Sequence, residues 1–163
     1  MRFLLILCLL ALPAGAEYRS IEMHVSGLDC ASCAASVKLK LRRIRGVLAA
    51  TFKGSEGVAS MQLAPANKVT VDQVRDVLKG IGFTPENARV EAHGELSSEE
   101  GHWLLKLSGS GELLELRLPA HPGILNQVRQ RTGTNVVIDG DVIARKAPSD
   151  PEILTVAAVR GEQ

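Results

Sequence analysis

With 163 residues, 19 Lys and Arg against 18 Asp and Glu, and a formal net charge of +1, the chain has no charge surplus with which to hold a polyanion. Three cysteines are too few for the disulfide framework of a small secreted scaffold. With one Trp, one Tyr and three Phe, the core must come mainly from Val, Leu, Ile and Ala, in one domain or two small ones.

In chain order, Arg2 precedes an apolar run from Phe3 to Leu12, then Pro13 and the small-x-small pattern Ala14-Gly15-Ala16. This is the anatomy of a secretory signal peptide, so residues 1–16 are expected to be removed and the mature chain to be periplasmic or secreted. The apolar run is too short to span a bilayer, which takes about 20 residues, and no later stretch is apolar enough. Cys8 lies inside this leader. Leu7 before it is larger than the small residue that lipid-anchor processing prefers.

Ile21, Met23 and Val25 alternate with polar residues and predict a half-buried strand ending at Gly27. From Cys33 to about Ile44 the spacing turns helical, with Ala34, Val37, Leu41 and Ile44 on one stripe and a stop at Gly46. Leu48, Ala50 and Phe52, then Ala59, Met61 and Leu63, flank the turn cluster 53–57 and predict a hairpin. Thr70-Val71-Asp72-Gln73 is a capping box with Val69 and Val74 as its hydrophobic staple. It opens a second helix carrying Val74, Leu78 and Ile81, which Gly80 and Gly82 close. A further strand runs around Arg89 to Ala92. The order βαββαβ is the split-βαβ or ferredoxin-like arrangement.

Beyond residue 92 the pattern changes. Ser97 to Gly101 reads as a polar turn, and His102 to Leu107 and Leu113 to Leu118 as short strands. Pro122 starts a brief helix with Ile124, Leu125 and Val128, ending near Gly133. Val136 to Ala144 and Ile153 to Val159 read as two more strands, separated by Pro148 and Pro151. If the strand near Val90 to Leu96 is shared, five strands with a helix between the third and fourth make an OB-like barrel. The expected fold class is therefore α+β. A ferredoxin-like domain over 17–92 is followed by a small β-rich domain over 93–163.

The chemistry sits at the end of the first strand, in Gly27-Leu28-Asp29-Cys30-Ala31-Ser32-Cys33-Ala34. Two thiols two residues apart at a helix start can converge on one ion, and the helix N-terminus favours the thiolate. Thiolates select soft or borderline ions over Mg(II) and Ca(II). Two of them leave the ion under-coordinated, which suits handing it onward. A structural zinc site needs four ligands, and no second Cys or His pair completes one. Asp29 offers a third, harder donor and a charge that compensates a divalent ion; its plainer reading is a helix-start residue.

These residues resemble the GMxCxxC motif of the heavy-metal-associated domain family, with Leu28 in place of Met, an exchange that a core position tolerates cheaply. Gly46-Val47 and Gly82-Phe83 fall where that family places a Gly-Val pair and a Gly followed by an aromatic residue. The family includes copper chaperones, periplasmic mercury-binding proteins and the N-terminal modules of metal-exporting P-type ATPases. The resemblance covers about residues 18–92 and implies a non-enzymatic protein that carries or scavenges one soft metal ion on Cys30 and Cys33. Copper members usually carry Thr or Ser at the position of Asp29, and zinc, cadmium or lead modules often Asp. That favours Zn, Cd or Pb over Cu(I), with Hg also open. Phe83 falls where the family keeps an aromatic or Lys near the metal; a core aromatic closing the helix–strand corner is the plainer reading.

Met23 and Met61 alternate with polar neighbours and read as core. His24, His93, His102 and His121 show no ligand spacing. Lys38, Lys40, Arg42, Arg43 and Arg45 load the first helix with positive charge. They read either as a solvated face or as a docking face for an acidic partner domain of a metal transporter.

Two other functions fit parts of the chain. Cys-x-x-Cys at a helix start is also a thiol–disulfide motif, though the βαββαβ order and the lack of an aromatic or Pro between the cysteines argue against it. In an oxidising compartment the pair can rest as a disulfide. The C-terminal region could instead carry the specificity of an envelope interaction or sensory module. Nucleic-acid binding is disfavoured there: residues 97–163 hold 7 basic against 9 acidic residues, with Trp103 as their sole aromatic.

Overall fold

The computed structural model describes residues 17–27, 33–145, 147 and 150–161; the expected leader lies outside them. The first half follows the anticipated order: β1 (Tyr18–Ser26), α1 (Cys33–Arg42), β2 (Val47–Lys53), β3 (Val58–Leu63), α2 (Val71–Lys79) and β4 (Thr84–Glu99). The alternating positions Ile21, Met23 and Val25 are buried against Val37, Leu41 and Ile44 of the first helical stripe, with Ala59, Met61 and Leu63 in the same core. At α2 the Gln73 N–H donates to Thr70 Oγ1 at 3.1 Å, and Val69 and Val74 are both buried, so cap and staple stand where the sequence puts them. α1 closes earlier than its apolar stripe implies. The N–H groups of Arg43 and Ile44 turn to the carbonyls of Lys40 and Leu41, which tightens the last turn while Ile44 stays buried.

β4 departs furthest from expectation. It extends through Ser97, Ser98 and Glu99, which the sequence reads as turn; only Glu100 (φ 50°) and Gly101 (φ 88°) make the reversal. Two consecutive positive φ angles match the twist that a two-residue hairpin needs, and Glu99 pairs directly with His102. The remaining elements are β5 (His102–Lys106), β6 (Leu113–Arg117), α3 (Pro122–Arg131), β7 (Asn135–Val142) and β8 (Glu152–Gly161).

The strand order is β2-β3-β1-β4-β5-β6-β8-β7, and β7 also pairs with β4. The last five strands therefore close into a barrel around Leu96, Leu105, Leu114, Leu116, Val136, Ile138, Leu154 and Val156. Along β4, Ala88 to Ala92 pair with β1 on one edge and with β7 on the other. Residues 92 and 93 are consecutive members of this strand, and the buried residues of both halves form one continuous cluster. Closure brings backbones close together. A Cβ at Gly94 would lie 2.7 Å from the Lys106 carbonyl oxygen, and one at Gly140 would overlap that of Thr155. Both glycines are demanded by close approach.

Charged groups reinforce the seam. Arg75 of α2 reaches Glu152 of β8 (2.9 Å) and Asp72 (2.8 Å) through Nη1, with side chains of Arg75 and Glu152 only 6% and 2% exposed. Its Nη2 donates to the Ile143 carbonyl. Arg145 pairs with the other Glu152 oxygen at 2.8 Å and with Asp72. Such a network adds little net stability over apolar packing, but removing one member strands a buried charge at about 3–5 kcal/mol. The Tyr18 hydroxyl is buried beside Glu112; burial, then the carboxylates of Glu112 and Glu152, hold its pKa well above the usual phenol value. Burial and the charge of Glu152 push the Glu112 carboxyl up to about 7, against the pull of Tyr18 and Arg75.

Two outcomes follow from this seam. Arg75→Ala should cost about 3 kcal/mol and lower the urea midpoint equally by Trp103 fluorescence and by far-ultraviolet circular dichroism. Separate midpoints for the two probes would show that the halves unfold independently. Between about pH 4.5 and 7 the folded chain holds a proton on Glu112 that the unfolded chain has released. Stability should therefore fall as pH rises through that window, by at most about 3 kcal/mol. Glu112→Gln should flatten this slope, measured as urea midpoints at acidic and mildly alkaline pH.

Candidate metal site

β1 delivers the chain to Gly27, whose φ of 93° is reached at no steric cost only by glycine. α1 then starts at Cys33, so strand end and helix start bracket the motif. Leu28, Asp29, Cys30, Ala31 and Ser32 lie outside the described residues, as does the side chain of Cys33. The structure thus places the frame of the expected site, not its donor geometry.

The other side of this frame is the α2–β4 corner. Ser26 pairs with Thr84, and a Cβ on Gly27 would lie 3.8 Å from the Gly82 carbonyl oxygen. Phe83 is therefore at the motif end of the sheet, and it is also core. It is buried, with its ring centroid 6.5 Å from that of Phe52 at a 33° tilt. The plainer reading of Phe83 accounts for its position. Met23 and Met61 are likewise fully enclosed in the core.

α1 has no acidic residue in its first turn and carries Lys40 and Arg42 in its last. Lys38, Lys40, Arg42, Arg43 and Arg45 are all exposed, and none forms an ion pair with a described residue. They lie in the C-terminal half of α1 and in the turn that follows it, away from the helix start at Cys33.

The histidines are dispersed. His24 is exposed on β1, His93 Nε2 lies 3.3 Å from Glu91, His102 Nδ1 lies 2.9 Å from Glu115, and His121 precedes α3 without a side-chain cap. Among the described residues, no group of three or more His, Cys, Asp or Glu is arranged to hold a metal. The Arg75–Glu152–Arg145–Asp72 cluster was missed by sequence reasoning. Arg75 occupies a core-facing position of α2, four residues after Val71, and its partner lies 77 residues away. Only an Arg on an otherwise apolar stripe hinted at it.

The heavy-metal-associated domain family matches residues 22–84, a span that includes the whole motif. Over 82 residues the chain is 37% identical to the cation-transporting P-type ATPase B of Mycobacterium leprae; these cover 50% of this chain and 10% of that protein. Among solved structures, the copper-binding domain of the P-type ATPase HMA7 is 26% identical, with a TM-score of 0.38, 44% of this chain covered and 92% of that one. The CopZ metallochaperone is 29% identical, with a TM-score of 0.38 and coverages of 40% and 97%. Residues 22–84 of this chain are a heavy-metal-associated domain.

Proposed function

We propose that the chain is an exported, non-enzymatic protein that carries or scavenges one soft metal ion on the thiolates of Cys30 and Cys33, with an acidic domain of a metal transporter as its partner. The observation that carries this reading is the family match over residues 22–84, which brackets the Cys-x-x-Cys pair between β1 and α1. Export rests on Arg2, the apolar run Phe3–Leu12 and the Ala14-Gly15-Ala16 pattern. Among the described residues no helix is long and apolar enough to cross a membrane.

The chemistry needs little from the protein beyond placement. Two residues separate the cysteines in sequence, so both sulfurs can converge on one ion, and the helix N-terminus at Cys33 lowers the cost of ionising a thiol there. A pair of thiolates leaves coordination positions that the donors of a partner can fill, so the ion is cargo that can leave. Asp29 beside Cys30 adds an oxygen donor and a negative charge, which favours Zn(II), Cd(II) or Pb(II) over Cu(I). The barrel is read as OB-like, because its strand order β4-β5-β6-β8-β7 closes on β4, β6 and β8 are parallel, and α3 falls between its third and fourth strands.

Cys30→Ser and Cys33→Ser should each abolish tight soft-metal binding by anaerobic competition titration, with circular dichroism unchanged. Full affinity in both variants would end the proposal. Isolation of the native protein under anaerobic conditions should yield about one metal ion per chain and two free thiols once it is removed; a closed disulfide without metal would instead favour thiol exchange. Asp29→Thr should weaken Zn(II) or Cd(II) binding by about ten-fold or more and Cu(I) by less, compared in parallel competition titrations.

A further inference from the structure

The outer face of α1 combines apolar and cationic groups in a pattern that metal binding does not use. Val37, Leu41 and Ile44 point into the core. At about 100° per residue, Leu39 then stands almost opposite them, at the apex of the solvent face, and it is 54% exposed. Arg42 follows it at a spacing that shares a helical face, Arg43 stands exposed in the tightened turn that closes the helix, and Lys38 and Lys40 flank it on either side. Leu48, the next exposed leucine at 62%, follows the turn that contains Arg45. It is the residue skipped by the register shift between Val47 and Ala49, so it has no partner opposite it on β3. From Cys30 to Ser55 the chain contains no Asp or Glu.

We infer that this face seats the protein on an anionic phospholipid bilayer, with Leu39 entering the boundary between headgroups and acyl chains and the surrounding Lys and Arg lying among the phosphates. A single exposed leucine is ordinary. A leucine opposite the core stripe of a surface helix, among four exposed cations that pair with no described residue, offers anionic lipid one apolar anchor on a positive surface. From sequence this face reads as a dock for an acidic protein domain. The exposed leucine opposite the core, which a purely electrostatic dock leaves unused, and the absence of any acid from Cys30 to Ser55 favour lipid. The inference does not rest on metal binding, because neither Leu39 nor the cations are expected ligands.

The test uses metal-free, reduced protein of residues 17–163, so that the apolar leader contributes nothing. Co-sedimentation is measured with vesicles of equal parts phosphatidylglycerol and phosphatidylcholine, and with phosphatidylcholine alone. Binding is expected to the anionic vesicles only, and to weaken as salt rises. Arg42→Gln and Arg43→Gln should each lower partitioning by about five-fold, and Leu39→Ser by on the order of ten-fold, with circular dichroism unchanged in all three. Failure to bind anionic vesicles at low salt overturns the inference, as does binding that Leu39→Ser and Arg43→Gln leave intact. Capture by an acidic protein module without vesicle binding also overturns it, and assigns the face to a protein.

Discussion

Residues Ala88 to Ala92 of β4 spend both edges of their backbone on two different partners, β1 on one side and β7 on the other, and the rest of the architecture hangs from that shared ladder. An open four-stranded sheet would leave β4 as an edge with unpaired N–H and C=O groups. Here the edge is the first strand of a barrel instead. Because side chains alternate with a period of two, Ala88, Val90, Ala92, Gly94 and Leu96 all face inward, first into the ferredoxin-like core and then into the barrel. One strand therefore fixes the register of both halves, and neither can slip without exposing the other.

The cluster of Arg75, Glu152, Arg145 and Asp72 works on the same seam by a different principle. Buried charges tolerate few arrangements, because each must meet its counter-charge at hydrogen-bond distance. The cluster ties α2, in the ferredoxin-like half, to the start of β8 and the connection before it. Tyr18 and Glu112 fill the neighbouring space, and partial burial together with the charge of Glu152 raises the Glu112 carboxyl. The frame of the candidate site lies at the opposite end of β1 from Tyr18, on a strand held between β3 and β4. Gly27 and the start of α1 are thereby held by a central strand, while α1 keeps its outer face toward the surroundings.

Most elements of the first half were legible because local signals agreed. The alternation at Ile21–Val25, the capping box at Thr70 and the glycines after each helix all point to one order. The length of β4 was not legible. Ser97, Ser98 and Glu99 are polar and poor strand formers, and they are extended only because β5 pairs with them. The roles of Gly94 and Gly140 were equally hidden, since what demands a missing Cβ is a carbonyl from a distant strand. The same holds for Arg75, whose partner is set by the packing of β8.

The sequence by itself determined the family of residues 22–84 and the βαββαβ order of the first half, because these depend on motif, periodicity and caps within a few residues. Tertiary structure decided that the two halves share a strand and a core, that the barrel closes through β7, and that a buried ionic cluster joins them. It also decided which leucine of α1 stands exposed among the cations. These are matters of which surfaces meet, and a chain read one neighbourhood at a time holds no record of meetings between residues separated by dozens of positions.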